Sequence, residues 1–562
     1  MRACKQLFYR LFFVIGTPLI ELNSYFYSTS VSVFAIYMRS LTPFYISLLL
    51  LVSCTAKKQN DVTKIEEPPV SELSGKELAV VHCNRCHAFV SPELLTKTIW
   101  KEDVLPAMGF RMGIYNEGIR HDSLFDAGIS GNIVRDANIY PETPVLAKAD
   151  WRKIEQYFME QAPDSIPDPL RKSPIRIGLQ HFKYKEASFA HRPSLTTMVK
   201  ILRDNRGIVF GDGKSRRNVL TFLTPELKES YSIPLQSTPV QFDEKSNELY
   251  LTTTGNGIFP TDAPWGSVQR WMKNGSLPGY KPGNIVIPNL QRPVCMAYGD
   301  LNKDGFEDIV ACEFGNQTGQ LAWYENNGKG GYNRRILRDK PGAVSAIIKD
   351  VNGDGLPDIY VLMAQGDEGV FFYENLGSGK FKEKRLLTFL PLNGSQYIEL
   401  ADFNKDGFDD IVYVCGDNAD KTPVLKNYHG IYIFLNDGKS NFTQSYFYQM
   451  NGAYKAMVRD YDLDGDLDIA AISFFPDYLR YPEESFIYLK NKGNLKFDDY
   501  SFPEAPKGRW IVMDAGDMDA DGDIDLVLGS FVYFIPQGDT TGLGKKWLLT
   551  GPSVVVLENT IR

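Results

Sequence analysis

The nine residues DLNKDGFED, 300–308, decide the fold, because their pattern returns four more times. DVNGDGLPD begins at Asp350, DFNKDGFDD at Asp402, DYDLDGDLD at Asp460 and DMDADGDID at Asp517, at intervals of 50, 52, 58 and 57 residues. Each phrase is followed by an apolar run that ends in an Asn-rich turn: WYENNG, FYENLGSGKF, IFLNDGKSNF, IYLKNKGNLKF and finally VVLENT. Such runs read as hairpin strands, and the interval is that of one blade. A unit of three or four short strands cannot bury both faces alone. Radial repetition buries them and leaves only short edges. Working backwards, GIVFGDGKSRRNVLTFL (207–223) and NELYLTTTGNGI (247–258) read as two degenerate copies without the aspartates, which brings the count to seven. The last copy stops at its third strand, Val554 to Glu558, so IRIGLQHFKYKE, 175–186, is expected to supply the missing outer strand and close the ring.

Positions 1, 3, 5 and 9 of each phrase carry carboxylate or amide oxygens, position 6 is Gly for a sharp turn, and position 7 can lend its carbonyl. That is the oxygen-rich donor set of a hard cation such as Ca²⁺. The candidate ligands are Asp300, Asn302, Asp304 and Asp308; Asp350, Asn352, Asp354 and Asp358; Asp402, Asn404, Asp406 and Asp410; Asp460, Asp462, Asp464 and Asp468; and Asp517, Asp519, Asp521 and Asp525. Asx turns without metal are the alternative, but packed carboxylates repel unless a cation sits among them. Five Ca²⁺ ions would set +10 against a formal charge of -8.

These phrases resemble the FG-GAP, or VCBS-type, repeats of integrin-like β-propellers, clearly over 290–560 and weakly over 175–290. The resemblance implies calcium loops on one face and partner binding on the other. The strand ends away from the loops carry Gln396, Tyr397, Tyr454, Lys455, Arg509 and Trp510 before the phrases. After them come Asn316, Gln365, Asp367, Glu368, Asp417, Asn418, Phe474, Phe475 and Asp477. Solvated loop tips and a surface for a glycan or other polar ligand are the two readings of that set.

A different signal lies upstream in VVHCNRCHAFV, residues 80–90. Cys83, Cys86 and His87 spell the attachment motif of c-type haem. A zinc site would need a second ligand pair nearby, and a thioredoxin-like motif would need a βαβ context, whereas the flanks read as helical. SGKELAVVHC offers a polar cap and apolar Leu78, Val80 and Val81, while ADWRKIEQYFMEQAP sets Trp151, Ile154, Tyr157 and Phe158 on one face. Residues 73–168 resemble small class I cytochromes c. The resemblance implies one covalent haem c with His87 as proximal ligand and a methionine from the following loop as the sixth. VLPAMGFRMG offers Met108 first, with Met112 and His121 as alternatives.

The N-terminus suggests a compartment. MRSLTPFYISLLLLVSC, 38–54, has a basic residue, an apolar run too short to span a bilayer comfortably, a small residue and then Cys54. It resembles a bacterial lipoprotein signal, which implies lipidation of Cys54, a mature start there, and Met38 as a start that makes residues 1–37 dispensable. A single membrane helix with an incidental cysteine is the alternative. The expected layout is a signal region over 1–53, a lipidated tether over 54–72, a small all-α cytochrome c domain over 73–168 and an all-β seven-bladed propeller with calcium loops over 173–562. Of seven cysteines, Cys295, Cys312 and Cys415 remain. The first two, flanking a hairpin loop, are read either as a disulfide or as small buried hydrophobes.

A net charge of -8 without a Lys/Arg cluster argues against a nucleic-acid partner. The expectation is a lipid-anchored electron-transfer protein of the bacterial envelope, outer membrane favoured, with a redox partner protein and a propeller that docks a protein or glycan. The alternatives are a haem-coupled dehydrogenase, although the tryptophan-bearing blade motif of quinoproteins and a GxGxxG fingerprint are missing, or a carbohydrate-binding or lyase-type propeller. For the last, His429 with Lys426 is the one site to nominate as base.

Overall fold

The computed structural model describes residues 67–561 apart from 117–118, 172, 215–216, 246–247, 256, 274–279, 419–423 and 534–538. The signal, Cys54 and most of the tether therefore lie outside the described residues. Among those described, no helix is long and apolar enough to cross a membrane.

Helices come first. Ser74 caps α1 (Gly75–Cys83) in a reciprocal capping box with Glu77. A short π-type turn leads into α2 (Leu105–Arg111), followed by α3 (Ile129–Asp136) and α4 (Lys148–Gln161). The apolar stripe of α4 buries Trp151, Ile154 and Phe158. At the crossing of α1 and α4 the backbones approach closely, because a Cβ on Gly75 would lie 2.1 Å from the carbonyl oxygen of Lys153.

From Arg176 to Asn559 the chain forms seven sheets, each one blade of a seven-bladed propeller. Six of the blades build their four strands in sequence order. The second strand of each aspartate-bearing blade, for example Asp308–Glu313 or Asp410–Cys415, is buried at every position. It is apolar on both faces because a neighbouring blade covers each. Fourth strands such as Tyr332–Arg338 and Phe381–Thr388 are instead rich in Lys and Arg, as suits an edge that must not pair with another chain. At the ring's centre, side chains from one blade answer the edge of the next. Gln241 bonds both the N–H and the carbonyl of Met296, at 2.7 and 2.8 Å, and Asp514 accepts the N–H of Ile201 at 2.9 Å.

The ring closes across the chain ends as expected, with one difference. Phe182–Glu186 pairs antiparallel with Val554–Asn559 and completes the seventh blade. Arg176–Ile177, expected in the same strand, pairs parallel with Phe497–Ser501 as a fifth strand of the sixth blade. Gly178, at φ +118°, lets the chain step from one blade to the next. Nearby, Arg171 fixes the segment that leads into the ring. Its guanidinium reaches Asp499 at 2.6 Å, Glu484 at 3.5 Å and the Tyr448 hydroxyl at 2.5 Å.

Candidate metal centres

The five aspartate phrases fold into five loops of one shape, each joining the first and second strands of its blade. Position 6 glycine sits at φ +87°, +86°, +89°, +91° and +96° in Gly305, Gly355, Gly407, Gly465 and Gly522. Position 4 is also left-handed, although it is Lys303, Lys405, Leu463 or Ala520 in four of the copies. Non-glycine residues rarely adopt that conformation, so the loop geometry is being enforced. The Gly N–H donates to Oδ2 of the position 1 aspartate at 2.9 Å in the first four loops and 3.1 Å in the fifth. Positions 1, 3 and 5 are thereby turned towards one another.

In the fourth loop Asp460, Asp462 and Asp464 each bring an oxygen to within 4.8 Å of the other two, and in the fifth Asp517, Asp519 and Asp525 do the same. Oδ1 of Asp460, Oδ1 of Asp519 and both oxygens of Asp523 are buried without a hydrogen-bond partner among the described residues. Burial, and after it the carboxylates of Asp521 and Asp525, pushes Asp523 up to about 7. Buried, crowded and partnerless oxygens are what a divalent ion would satisfy, so the residues present fit Ca²⁺. Asp523 was not among the expected ligands, since only the carbonyl of position 7 was counted.

Position 9 differs from the other expected ligands. Asp308, Asp358, Asp410, Asp468 and Asp525 are fully buried, and their oxygens are engaged by the fold. Oδ2 of Asp308 accepts the N–H of Leu301 at 3.1 Å and Oδ1 that of Asn326 at 2.7 Å. In the fourth loop the Tyr488 hydroxyl replaces the first of these bonds, at 2.6 Å. The fourth loop also holds a cation of its own. Lys490 binds Asp462 and lies 4.0 Å from Asp464, at a position where the third, fourth and seventh blades carry Glu325, Glu374 and Glu558.

Around the CxxCH motif, α1 ends at Cys83, and Cys86 and His87 follow in a turn. Cys83 packs against the helical core, as do Met108 on α2 and Met112 at its end. Both cysteines are free, and burial with Cys86 alongside pushes the Cys83 thiol up to about 11. His87 Nδ1 lies 2.9 Å from the carbonyl of Ala88. His121 is placed elsewhere: its ring packs on Tyr115 and Phe125, and its Nε2 is 2.8 Å from the carbonyl of Tyr140. The set Cys83, Cys86, His87 with one of two methionines therefore fits a covalently held haem, while His121 is already committed.

The ends of the strands away from the aspartate loops are not an open polar platform. Trp510 and Arg509 are buried, with the guanidinium 3.9 Å above the Phe474 ring. Asp367 is held by Arg338 and Arg385, each at 2.6 Å, and Glu368 accepts the Ser395 hydroxyl at 2.7 Å. Part of this face is covered by the helices. Arg111 donates to Gln317, the N–H of Asp262 donates to Ser130 at 3.1 Å, and Leu392, Val424 and Tyr428 join the core that contains Cys83. His429 is fully buried and its imidazole is held well below its ordinary range by burial and by Lys426, so it is closed off from any substrate. Cys295 and Cys312 face each other in register across the first two strands of their blade, with free thiols.

Known proteins resemble parts of this chain. The family model described as FG-GAP-like repeat matches residues 300–361 and 350–413, which take in the first three aspartate loops. No curated protein matches the chain. Among solved structures, the N-terminal domain of Nup159 is 10% identical with a TM-score of 0.39, covering 68% of this chain and 97% of its own. A putative 6-phosphogluconolactonase from Bacteroides fragilis is 11% identical with a TM-score of 0.37, covering 54% and 82%. The stretch 300–413 thus carries FG-GAP-like repeats, set within a seven-bladed β-propeller.

Proposed function

We propose that this is an electron-transfer protein of the bacterial envelope, in which a single haem c on the helical segment is carried by a calcium-stapled propeller. Cys83 and Cys86 would hold the haem through thioethers, His87 would ligate its iron, and Met108, or Met112 in its place, would supply the sixth ligand. Bound there, the haem supplies one-electron chemistry at a potential raised by thioether ligation. The protein's residues do the rest: they bury the group, orient its ligands and limit water. The observation that carries this reading is the packing of Cys83, the first residue of a complete CxxCH motif, into one core with Met108 and Met112.

The loops beginning at Asp300, Asp350, Asp402, Asp460 and Asp517 would bind up to five Ca²⁺ ions as staples on the hairpins rather than as catalysts. Attachment to a membrane would follow from lipidation at Cys54, two or more acyl chains being enough for stable anchoring. A redox partner protein would meet the helical segment. A glycan or second protein would meet whatever part of the ring the helices leave free.

The test is expression of the full chain in a bacterial host that matures c-type cytochromes. The expected product absorbs as a haem protein in its reduced-minus-oxidised spectrum and keeps its haem through denaturing electrophoresis. Replacing Cys83 and Cys86 by Ala should abolish the attachment. A colourless wild-type product would overturn the reading, and haem reduction by a sugar or alcohol without any partner protein would favour a dehydrogenase instead.

A further inference from the structure

The core around Cys83 is not built by the helices alone. Leu392 lies in the connection between the fourth and fifth blades, and Val424 and Tyr428 lie between the second and third strands of the fifth, at the strand ends opposite the aspartate loops. All three pack into the cluster that contains Cys83, Met108 and Met112. Tyr428 is held in place through its backbone carbonyl, which accepts the Tyr432 hydroxyl at 2.6 Å and the Cys415 thiol at 3.4 Å.

The phenol itself is left over. The Tyr428 hydroxyl is buried and makes no hydrogen bond among the described residues, and burial raises its affinity for its proton. Buried tyrosines ordinarily find a partner for that hydroxyl. The Nδ1 of His82, one residue before Cys83, is in the same condition. An unspent hydroxyl from the ring thus borders a core where the proposed function puts a group carrying two carboxylates.

We infer that Tyr428, a propeller residue, forms part of the haem pocket and donates its hydroxyl to a haem propionate, with Leu392 and Val424 walling the same side. The inference rests on the haem reading above. It makes the ring a component of the redox centre, so the midpoint potential of the helical segment is set in part by a blade. The donated bond partly offsets the propionate's negative charge, which otherwise favours ferric iron.

The experiment uses the full-length holoprotein. Tyr428→Phe keeps the ring and its packing, so haem loading and thermal melting should match wild type while the midpoint potential at pH 8 falls. Leu392→Ala opens the wall to water and should also lower the potential, independently of the hydroxyl. Wild-type potentials in both variants would overturn the inference while leaving the haem reading intact. A wild-type chain without haem would instead remove the reading on which the inference stands.

Discussion

Asp308 and Asn326 are joined by a 2.7 Å bond from the N–H of Asn326 to Oδ1 of Asp308, so the last residue of the first aspartate loop clamps the end of the third strand. The same bond recurs at 2.8 Å between Asp358 and Asn375, 2.9 Å between Asp410 and Asn436, 2.7 Å between Asp468 and Asn491 and 2.8 Å between Asp525 and Asn559. The aspartate of each clamp is fully buried, while Asn326 and Asn436 are half-buried. Removing the acceptor strands two backbone donors, each costing about 1–3 kcal/mol. Asp308→Ala should therefore lose roughly 2–6 kcal/mol in chemical denaturation. The loss should persist with chelator present, because the clamp serves the backbone. A loss that disappears in chelator would mean that Asp308 acts through a metal only.

The fourth loop should behave unlike the others. Lys490 already sits against Asp462 and near Asp464, and a resident ammonium competes with Ca²⁺ for the same oxygens. Lys490→Gln removes that competitor without adding a carboxylate. Calorimetric titration of the chelator-stripped protein should show this loop's affinity rising about tenfold, equivalent to about 1.4 kcal/mol. An unchanged isotherm would show that the lysine moves aside at no cost.

The loops and blades were legible in the sequence because everything that defines them is local: glycine at position 6, oxygens at fixed spacing, and an apolar strand on either side. The closing strand was legible by counting, since the seventh copy ran out at Val554–Glu558. Its division at Gly178 was not, because nothing in IRIGLQHF marks which of two neighbouring blades will pair with it. The covering of the far face was equally hidden. Leu392, Val424 and Tyr428 stand singly in loops without periodicity, and their partners lie some 300 residues earlier in the chain. Lys490 could have been found by aligning the five copies and comparing the residue before the clamping asparagine. Tyr428 could not, because an unpartnered hydroxyl is a property of packing.

The crossing of α1 and α4 depends on one missing side chain. A Cβ at Gly75 would lie 2.1 Å from the Lys153 carbonyl oxygen and 3.1 Å from Cβ of Tyr157, and the backbone of α4 cannot yield as a flexible side chain could. Although Ala is the better helix former, Gly75→Ala should push the helices apart and destabilise this segment by about 1–3 kcal/mol. Hydrogen exchange should show faster opening of α1 and α4 with the blades unchanged. Equal protection in both proteins would show that the crossing has slack.

Asp212 gives the ring a pH dependence whose sign can be worked out. It ends the second strand of the first blade at 1% exposure, with neither oxygen in a hydrogen bond among the described residues. The nearest cationic groups are His191 Nδ1 at 3.7 Å and Lys214 Nζ at 3.9 Å. Burial pushes the carboxyl up to about 6 from an ordinary 3.8, against the pull of Lys214. The folded protein therefore keeps a proton that the unfolded chain releases, and this contribution is full below pH 3.8 and lost as pH rises through about 6. His191, held below its ordinary 6.5 by burial, acts in the opposite sense, contributing above that pH and losing its contribution as pH falls. Comparing Asp212→Asn with wild type isolates the carboxyl, because the histidine is present in both. The variant should match wild type near pH 3 and exceed it by about 2–3 kcal/mol at pH 8 in chemical denaturation. Parallel stability profiles across that range would mean that Asp212 ionises in the folded protein at little cost, through solvent or a cation that reaches it.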